Sequence, residues 1–180
     1  MNIAIIGTAG RDKNKLLTLD LWNRMLADAR QRTTSTDHLI SGGAAWADHL
    51  AVTLFLENHV AALTLHLPAP FTSREFVGEF GTSGGASNYY HRLFSNRIGK
   101  NTLSDIDLAI QKPQCSVTYE PASFGYSAMF RRNKLVAAEA ELLIAYTFGL
   151  LGIPTDGGTS NTWNQCRGQR EHVPLTNLAA

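Results

Sequence analysis

Short apolar runs alternate along the chain with longer segments in which apolar residues recur every three or four positions. The short runs are mostly apolar, and the first is rich in β-branched residues and ends at glycine, as a buried strand of a parallel sheet does. They are IAIIG (3–7), HLISGG (38–43), AALTLHLP (61–68), LLIAYTF (142–148) and HVPLT (172–176). We expect each of them to form a strand.

The longer segments predict amphipathic helices between these strands. One extends from about Lys13 to Arg32, with Asp12 placed to cap it, and another follows Gly43. Two more are expected from about Met129 and from near Thr162. Alternating strands and helices predict an α/β fold, a Rossmann-like parallel sheet with helices on both faces.

The segment at about 69–124 interrupts this alternation. It has a Gly/Ser-rich stretch, several aromatic residues and one clear helical start, where Thr102 and Asp105 have capping-box spacing. Long segments in compact domains are often functional. We therefore expect an inserted, partly helical lid within a single domain that covers 1–180.

Composition limits the partners and the location. The 180 residues are 44% hydrophobic and 17% charged, with a formal net charge of +1. This near-neutral balance predicts no nucleic-acid partner and no membrane partner, so any anion site must be local. The two cysteines predict reduced thiols, and the histidines have no zinc spacing. We expect a soluble cytoplasmic protein with no metal and no cofactor.

Three glycine turns follow predicted strands: GTAGR (7–11), SGGAAWAD (41–48) and DGGTSNTW (156–163). In an open α/β sheet the loops after the strands are neighbours, and helices starting there direct unpaired N–H groups at a shared crevice. Glycine allows close backbone approach, and arginine such as Arg11 binds phosphate with two hydrogen bonds. The turns therefore predict a phosphate site, although glycine after a strand is also ordinary turn chemistry.

The motifs IAIIGTAGR, LISGGAAWADHLA, FRRNKLVAAEAELLIAYTFG and DGGTSNTW resemble the SLOG superfamily. This Rossmann-like group includes the "lonely guy" phosphoribohydrolases and the DNA-processing protein DprA. The resemblance covers the chain outside the insertion and implies a nucleotide-derived ligand above the strand ends. Together, the turns and the resemblance predict these ligand-binding residues: Gly7, Thr8, Arg11, Ser41, Gly42, Gly43, Asp48, Arg131, Asn133, Gly157, Gly158, Thr159 and Thr162.

One departure from the family pattern bears on catalysis. The phosphoribohydrolases have a GGxGTxxE pattern, whereas here residues 157–164 contain no carboxylate. Cleavage of an N-glycosidic bond needs a carboxylate near the sugar. Asp48 is the candidate catalytic residue, although its place near a helix start is favourable on dipole grounds alone. The other candidate carboxylates are Glu120, Glu139 and Asp156.

The missing glutamate favours binding over catalysis. The preferred hypothesis is a protein that senses or sequesters a nucleotide-derived small molecule, such as an ADP-ribose-like or cyclic nucleotide signal. The alternative is an enzyme, a nucleotide N-glycosidase or phosphoribohydrolase. Binding of single-stranded DNA is disfavoured because the chain has no extended basic cluster. Two roles are open for His91 and the residues around it, and for Trp46 and Trp163: stacking against a base or packing in the core. We also expect a homo-oligomer.

Overall fold

The computed structural model describes residues 1–150, 152–154 and 157–179. The strands, numbered in chain order, are β1 (Asn2–Gly7), β2 (His38–Ser41), β3 (Ala62–Leu67), β4 (Phe71–Thr72), β5 (Glu75–Phe76), β6 (Cys115–Tyr119), β7 (Leu142–Thr147) and β8 (Gln169–Pro174). Six of them form a parallel sheet in the order β6-β3-β2-β1-β7-β8, while β4 and β5 form a separate hairpin.

The helices are α1 (Leu19–Gln31), α2 (His49–Leu56), α3 (Ser83–Ile98), α4 (Thr102–Ile110), α5 (Ser127–Glu139), α6 (Gly157–Gln165) and α7 (Leu175–Leu178). A single 3-10 turn (Trp46–Asp48) precedes α2. The predicted Rossmann-like α/β fold is confirmed. Within the described residues, no helix combines the length and the apolar character that a membrane crossing requires.

Alternation along β1 shows how the sheet is covered on both faces. Ile3 and Ile5 belong to the core on the side of α1 and α2, whereas Ala4 and Ile6 pack with Val136 of α5 on the other side. Successive side chains of a strand point to opposite faces, so every residue in the middle of β1 is buried. This explains why the strand is continuously apolar.

The order of the strands creates a crevice. From β1 the chain builds β2, β3 and β6 on one side of the sheet, and then β7 and β8 on the other. The loops after β1 and β7 therefore leave in different directions. In open α/β sheets, ligands bind beyond the carboxyl ends of the strands at such a reversal.

Several predicted boundaries need correction. Helix α1 begins at Leu19, and the Thr18 hydroxyl, rather than Asp12, accepts the hydrogen bond from the capped N–H. Asp12 instead accepts a hydrogen bond of 2.9 Å from the Asn14 N–H in the preceding loop. Helix α6 begins at Gly157, well before the predicted start near Thr162.

The segment at 69–124 holds elements that the sequence pattern did not predict: the β4–β5 hairpin, helix α3 and strand β6. Helix α3 begins inside the Gly/Ser-rich stretch, where the Thr82 hydroxyl accepts a hydrogen bond from the Gly85 N–H. Gly84 lies so close to the chain that an added Cβ would meet the Val77 carbonyl oxygen at 2.0 Å. Strand β6 joins the edge of the main sheet beside β3. The segment thus contributes to the sheet as well as covering α2 with α4.

Candidate functional site

A cavity of about 370 Å³ lies where the strand order reverses. The loop after β1, the first turns of α5 and the start of α6 surround it. Its lining includes these predicted residues: Gly7, Thr8, Arg11, Asp48, Asn133, Gly157, Gly158, Thr159 and Thr162. It also includes residues that the sequence reasoning did not assign to the site, among them Ala44, Tyr126, Met129, Phe130, Arg132 and Val136.

A buried ion pair forms the polar floor of this cavity. Arg132 Nη1 lies 3.4 Å from Asp48 Oδ2, and the two residues are 8% and 5% exposed. Burial raises the pKa of the Asp48 carboxyl above its ordinary value, and the Arg132 charge opposes that rise. Arg132 Nε is buried without a hydrogen-bond partner among the described residues. The guanidinium therefore keeps unused donor capacity beside the cavity.

The first residues of the second glycine turn, 41–43, support this floor from behind and do not line the cavity, although Ala44 and Asp48 of the same turn do. The Gly42 carbonyl accepts a hydrogen bond from Arg132 Nη1, and the Gly43 carbonyl is 3.0 Å from His91 Nε2. Ser41 is fully buried, and its hydroxyl donates to the Asp48 carbonyl. Gly42 and Gly43 lie outside the cavity lining, so the structure does not bring them to the site, and their role as a phosphate cradle stays a prediction.

Arg131 lies outside the cavity, contrary to its predicted place in the ligand site. Its side chain is exposed, and its Nε is 2.6 Å from Glu120 Oε2. Adjacent residues of a helix are about 100° apart, so only one of two neighbouring arginines on α5 can face the sheet. That residue is Arg132.

The start of α6 forms the opposite wall. Thr159 Oγ1 donates a hydrogen bond of 3.0 Å to the Gly7 carbonyl, and Asn133 Nδ2 lies 3.3 Å from the Gly158 carbonyl. These bonds connect α6 to β1 and α5. Gly157 and Gly158 are exposed, and a Cβ on either would meet nothing within 4 Å. The wall is therefore open to a ligand, while the candidate Asp156 lies outside the described residues.

Arg11 lies at the mouth of the cavity. Its Nη2 donates to Met129 Sδ at 3.0 Å, and its guanidinium carbon is 5.3 Å from the Tyr90 ring centre and 5.2 Å from that of Tyr126. Among the described residues, no carboxylate lies within ion-pair distance of Arg11. A thioether sulfur and two ring faces are weak partners for a full charge.

Two exposed aromatic side chains line the cavity, and two others lie outside its lining. Tyr126 and Phe130 line the cavity and are one helical turn apart, with 59% and 42% of their surface exposed. Phe124, two residues before Tyr126, is 71% exposed, and an added Cβ on Gly81 would lie 3.7 Å from its ring. Phe80, beside Gly81 in sequence, is 99% exposed. We call Phe80, Phe124, Tyr126 and Phe130 the aromatic row.

Other candidates for base stacking or catalysis have structural partners. Trp46, Trp163 and His91 are buried, so they pack in the interior rather than against a ligand. Glu139 Oε1 is 3.1 Å from His66 Nε2, outside the cavity lining. With Glu120 paired to Arg131, Asp48 is the candidate carboxylate that lines the cavity among the described residues.

Comparison with known proteins places the chain in a family. No family model matches it. It is 36% identical over 176 residues to "Uncharacterized protein R261" of Acanthamoeba polyphaga mimivirus, an alignment that covers 93% of this chain and 91% of that protein. It is also similar to a solved structure of DNA processing protein A from Helicobacter pylori, described as binding single-stranded DNA. That likeness has a TM-score of 0.42 and 13% identity over 99% of this chain and 79% of that chain.

The single-stranded DNA binding of that protein conflicts with two predictions from the sequence, and both are corrected. One was the assignment to a small nucleotide-derived signal, with an N-glycosidase as the alternative. The other was the exclusion of a nucleic-acid partner. The likeness itself is too low to transfer a function. The Rossmann-like fold is established, whereas membership of the SLOG superfamily stays a prediction.

Proposed function

The chain belongs to the family of the mimivirus protein, and we propose that it binds single-stranded nucleic acid at the crevice between β1 and β7. In this proposal a backbone phosphate lies at the mouth, and neighbouring bases stack on the aromatic row. Membership of the SLOG superfamily, a group of nucleotide-binding domains, is part of the same proposal.

The observation that carries the proposal is the state of Arg11. Its charge lies at the mouth against a sulfur atom and two rings, with no carboxylate of the described residues in ion-pair distance. Arginine binds phosphate through paired, charge-assisted hydrogen bonds, which are stronger than these contacts. A phosphate that displaced the sulfur contact would give Arg11 an anionic partner in direct contact.

The start of α6 supports the same position for the phosphate. The first N–H groups of a helix have no intrahelical partners, and the helix dipole favours negative charge there. Gly157 and Gly158 leave this turn uncovered, and both line the cavity with Arg11. Backbone donors and a side-chain cation thus border one cavity.

The aromatic row favours a strand over an isolated phosphate. Stacking of bases on aromatic side chains accepts every base and contributes about 1–3 kcal/mol per base. Tyr126 and Phe130 line the cavity, whereas Phe124 is exposed outside its lining. More than one base therefore has an exposed ring available. This is the arrangement that sequence-tolerant binding of single strands uses.

The net charge of +1 predicts modest affinity. When a protein binds a single strand, log K falls as log salt concentration rises, with a slope of about −0.7 for each phosphate that the protein neutralises. Since Arg11 is the cation that the described residues leave without an ion pair at the mouth, the crevice alone should show a shallow salt dependence. Stacking then supplies most of the binding free energy.

The test is equilibrium binding of a fluorescent oligothymidylate, measured by anisotropy. Arg11→Ala should weaken binding by about 1.5–3 kcal/mol, the contribution of a hydrogen bond to a charged group. Arg131→Ala is the matched control, because it removes the same charge from an exposed position outside the cavity. It should leave the affinity within about twofold of wild type, as expected for an exposed ion pair.

Tyr126→Ala tests the stacking separately and should cost about 1–3 kcal/mol. If Arg11→Ala and Arg131→Ala behave alike, the phosphate position is wrong. If a free mononucleotide binds as tightly as the oligomer, the crevice does not use the aromatic row, and the proposal of a strand ligand fails.

A further inference from the structure

A second, shallow groove of about 630 Å³ lies at the other end of α3. The tip of the β4–β5 hairpin, the last turns of α3 and the start of α4 border it. Its charged lining residues are Arg74, Glu75, Arg92 and Lys100. We call this surface the basic groove, since three cations face it against one carboxylate.

Two of the three cations have only surface ion pairs, whereas Lys100 Nζ is 3.0 Å from Oδ2 of Asp105, whose side chain is 7% exposed. Arg92 Nη2 is 2.8 Å from Glu75 Oε1, and Arg74 Nε is 3.5 Å from Asp107 Oδ2. The Arg74 and Arg92 side chains are 73% and 60% exposed. Such surface pairs contribute little to stability. The arginines can therefore exchange these partners for a ligand anion at small cost.

The hairpin holds Arg74 over the groove in an unfavourable backbone conformation. Ser73 and Arg74 connect β4 to β5, with φ of 53° and 65°. A two-residue turn with positive φ at both positions usually contains Asn-Gly or similar residues. Two side-chain-bearing residues in this conformation are costly, and such positions concentrate at binding sites.

Helix α3 connects the basic groove to the mouth of the crevice. Tyr90 of α3 contacts Arg11 at the mouth, and the Tyr89 ring is 5.2 Å from the Tyr90 ring. Tyr89 is 54% exposed and lies one turn before Arg92. From Tyr89 to Asn96, which lines the groove, the helix rises by about 10 Å at 1.5 Å per residue.

That rise corresponds to about three nucleotides at the 3.4 Å axial spacing of a stacked strand. We infer that a single strand bound at the crevice continues along α3 over Tyr89 and that its phosphates bind Arg74 and Arg92 in the basic groove. This inference rests on the proposed function. A phosphodiester is favoured over an acidic peptide because the exposed Tyr89 ring and the half-buried Tyr90 ring lie between the two cationic sites.

The experiment compares oligothymidylates of about 4 and about 16 nucleotides at about 50 and 200 mM salt. The longer strand should bind at least tenfold more tightly to the wild-type chain. Arg74→Gln with Arg92→Gln should remove that tenfold gain. The slope of log K against log salt should also become less steep by about 1.4, which is 0.7 for each of two phosphates. The shorter strand should bind the double variant as it binds wild type.

Arg30→Gln with Arg97→Gln is the matched control, because it removes two exposed arginine charges outside both sites. It should leave both strands unaffected. If the groove variant binds the longer strand like wild type while Arg11→Ala loses binding, the groove inference fails and the proposed function stands. If Arg11→Ala binds both strands like wild type, the crevice and the groove path both fail. Competition by polyglutamate that depends on Arg74 and Arg92, without a length effect for DNA, would identify an acidic-peptide surface and overturn the inference.

Discussion

Gly42→Ala is the substitution that most directly tests the floor of the crevice. An ideal Cβ at this position would lie 1.8 Å from Arg132 Nη1, 2.4 Å from Cζ and 2.9 Å from Nε. These distances leave no room for the guanidinium. Gly42 does not have a positive φ, so alanine adds no backbone strain there. The effect of the substitution should therefore come from displacing Arg132.

The magnitude follows from the contacts that Arg132 would lose. The hydrogen bond to the Gly42 carbonyl is charge-assisted and contributes about 1.5–3 kcal/mol. Displacement also separates the guanidinium from Asp48, which is 5% exposed, and breaking a buried pair costs about 3–5 kcal/mol. Because the guanidinium can turn into the cavity and meet water, we expect about 2–4 kcal/mol in total.

Urea unfolding measures this loss, and the melting temperature should fall by about 2–4 °C for each kcal/mol. Gly158→Ala is the control, since a Cβ there meets nothing within 4 Å. In the first turn of α6, alanine should leave stability unchanged or raise it by up to about 1 kcal/mol. If the free energy of unfolding of Gly42→Ala were within about 0.5 kcal/mol of the wild-type value, the assigned position of Arg132 would be refuted.

Two further predictions concern stability. Burial holds the pKa of His91 at about 3, below its ordinary 6.5. As the pH falls, His91 therefore takes up a proton in the unfolded chain before it does so in the folded chain. The free energy of unfolding should drop by about 2 kcal/mol between pH 7 and pH 5. Urea unfolding across this range should reveal the loss, and a flat profile would contradict a neutral, buried His91. Thr18→Ala should cost about 1 kcal/mol because Thr18 caps α1, whereas Asp12→Ala should cost under about 0.5 kcal/mol. If the two substitutions lowered the stability equally in thermal unfolding, the assignment of the cap to Thr18 would be contradicted.

The sequence pattern predicted the buried strands well because burial on both faces leaves a clear signature. The middle residues of β1 and β7 are apolar and buried, and each strand ends at or near a glycine. A cavity lies at the ends of these strands, where the glycine turns predicted the ligand site, and the binding role of its residues stays a prediction. The sequence pattern could not predict in which direction the backbone polar groups of each turn point. The second turn directs its carbonyls to Arg132 and His91, which depends on residues far away in sequence.

Strand β6 escaped prediction because it lies at the edge of the sheet. Its polar side chains bond to the neighbouring strand: Ser116 Oγ is 3.0 Å from Thr64 Oγ1, and Thr118 Oγ1 is 2.7 Å from His66 Nδ1. Such a strand lacks a continuous apolar run. Helix α3 was missed for a different reason, since glycine and serine at its start are poor helix formers. Packing against the preceding chain there overrides the local preference.

The choice between Arg131 and Arg132 shows the limit of motif-based assignment. The two residues are adjacent and chemically identical, so only the helix phase distinguishes them. That phase could have been read from Val136, which lies one turn after Arg132 and belongs to the buried face of α5. The resemblance to a family suggested the neighbouring residue instead.

The contact between Gly42 and Arg132 also restricts how this family can change over evolutionary time. A larger residue at 42 displaces the arginine, and a shorter residue at 132 leaves the Asp48 charge buried alone. Each single step is therefore unfavourable. A viable route must alter the carboxylate as well, although positions 48 and 132 are 84 residues apart in the chain. These three positions should be inherited together and replaced together, as one unit of variation.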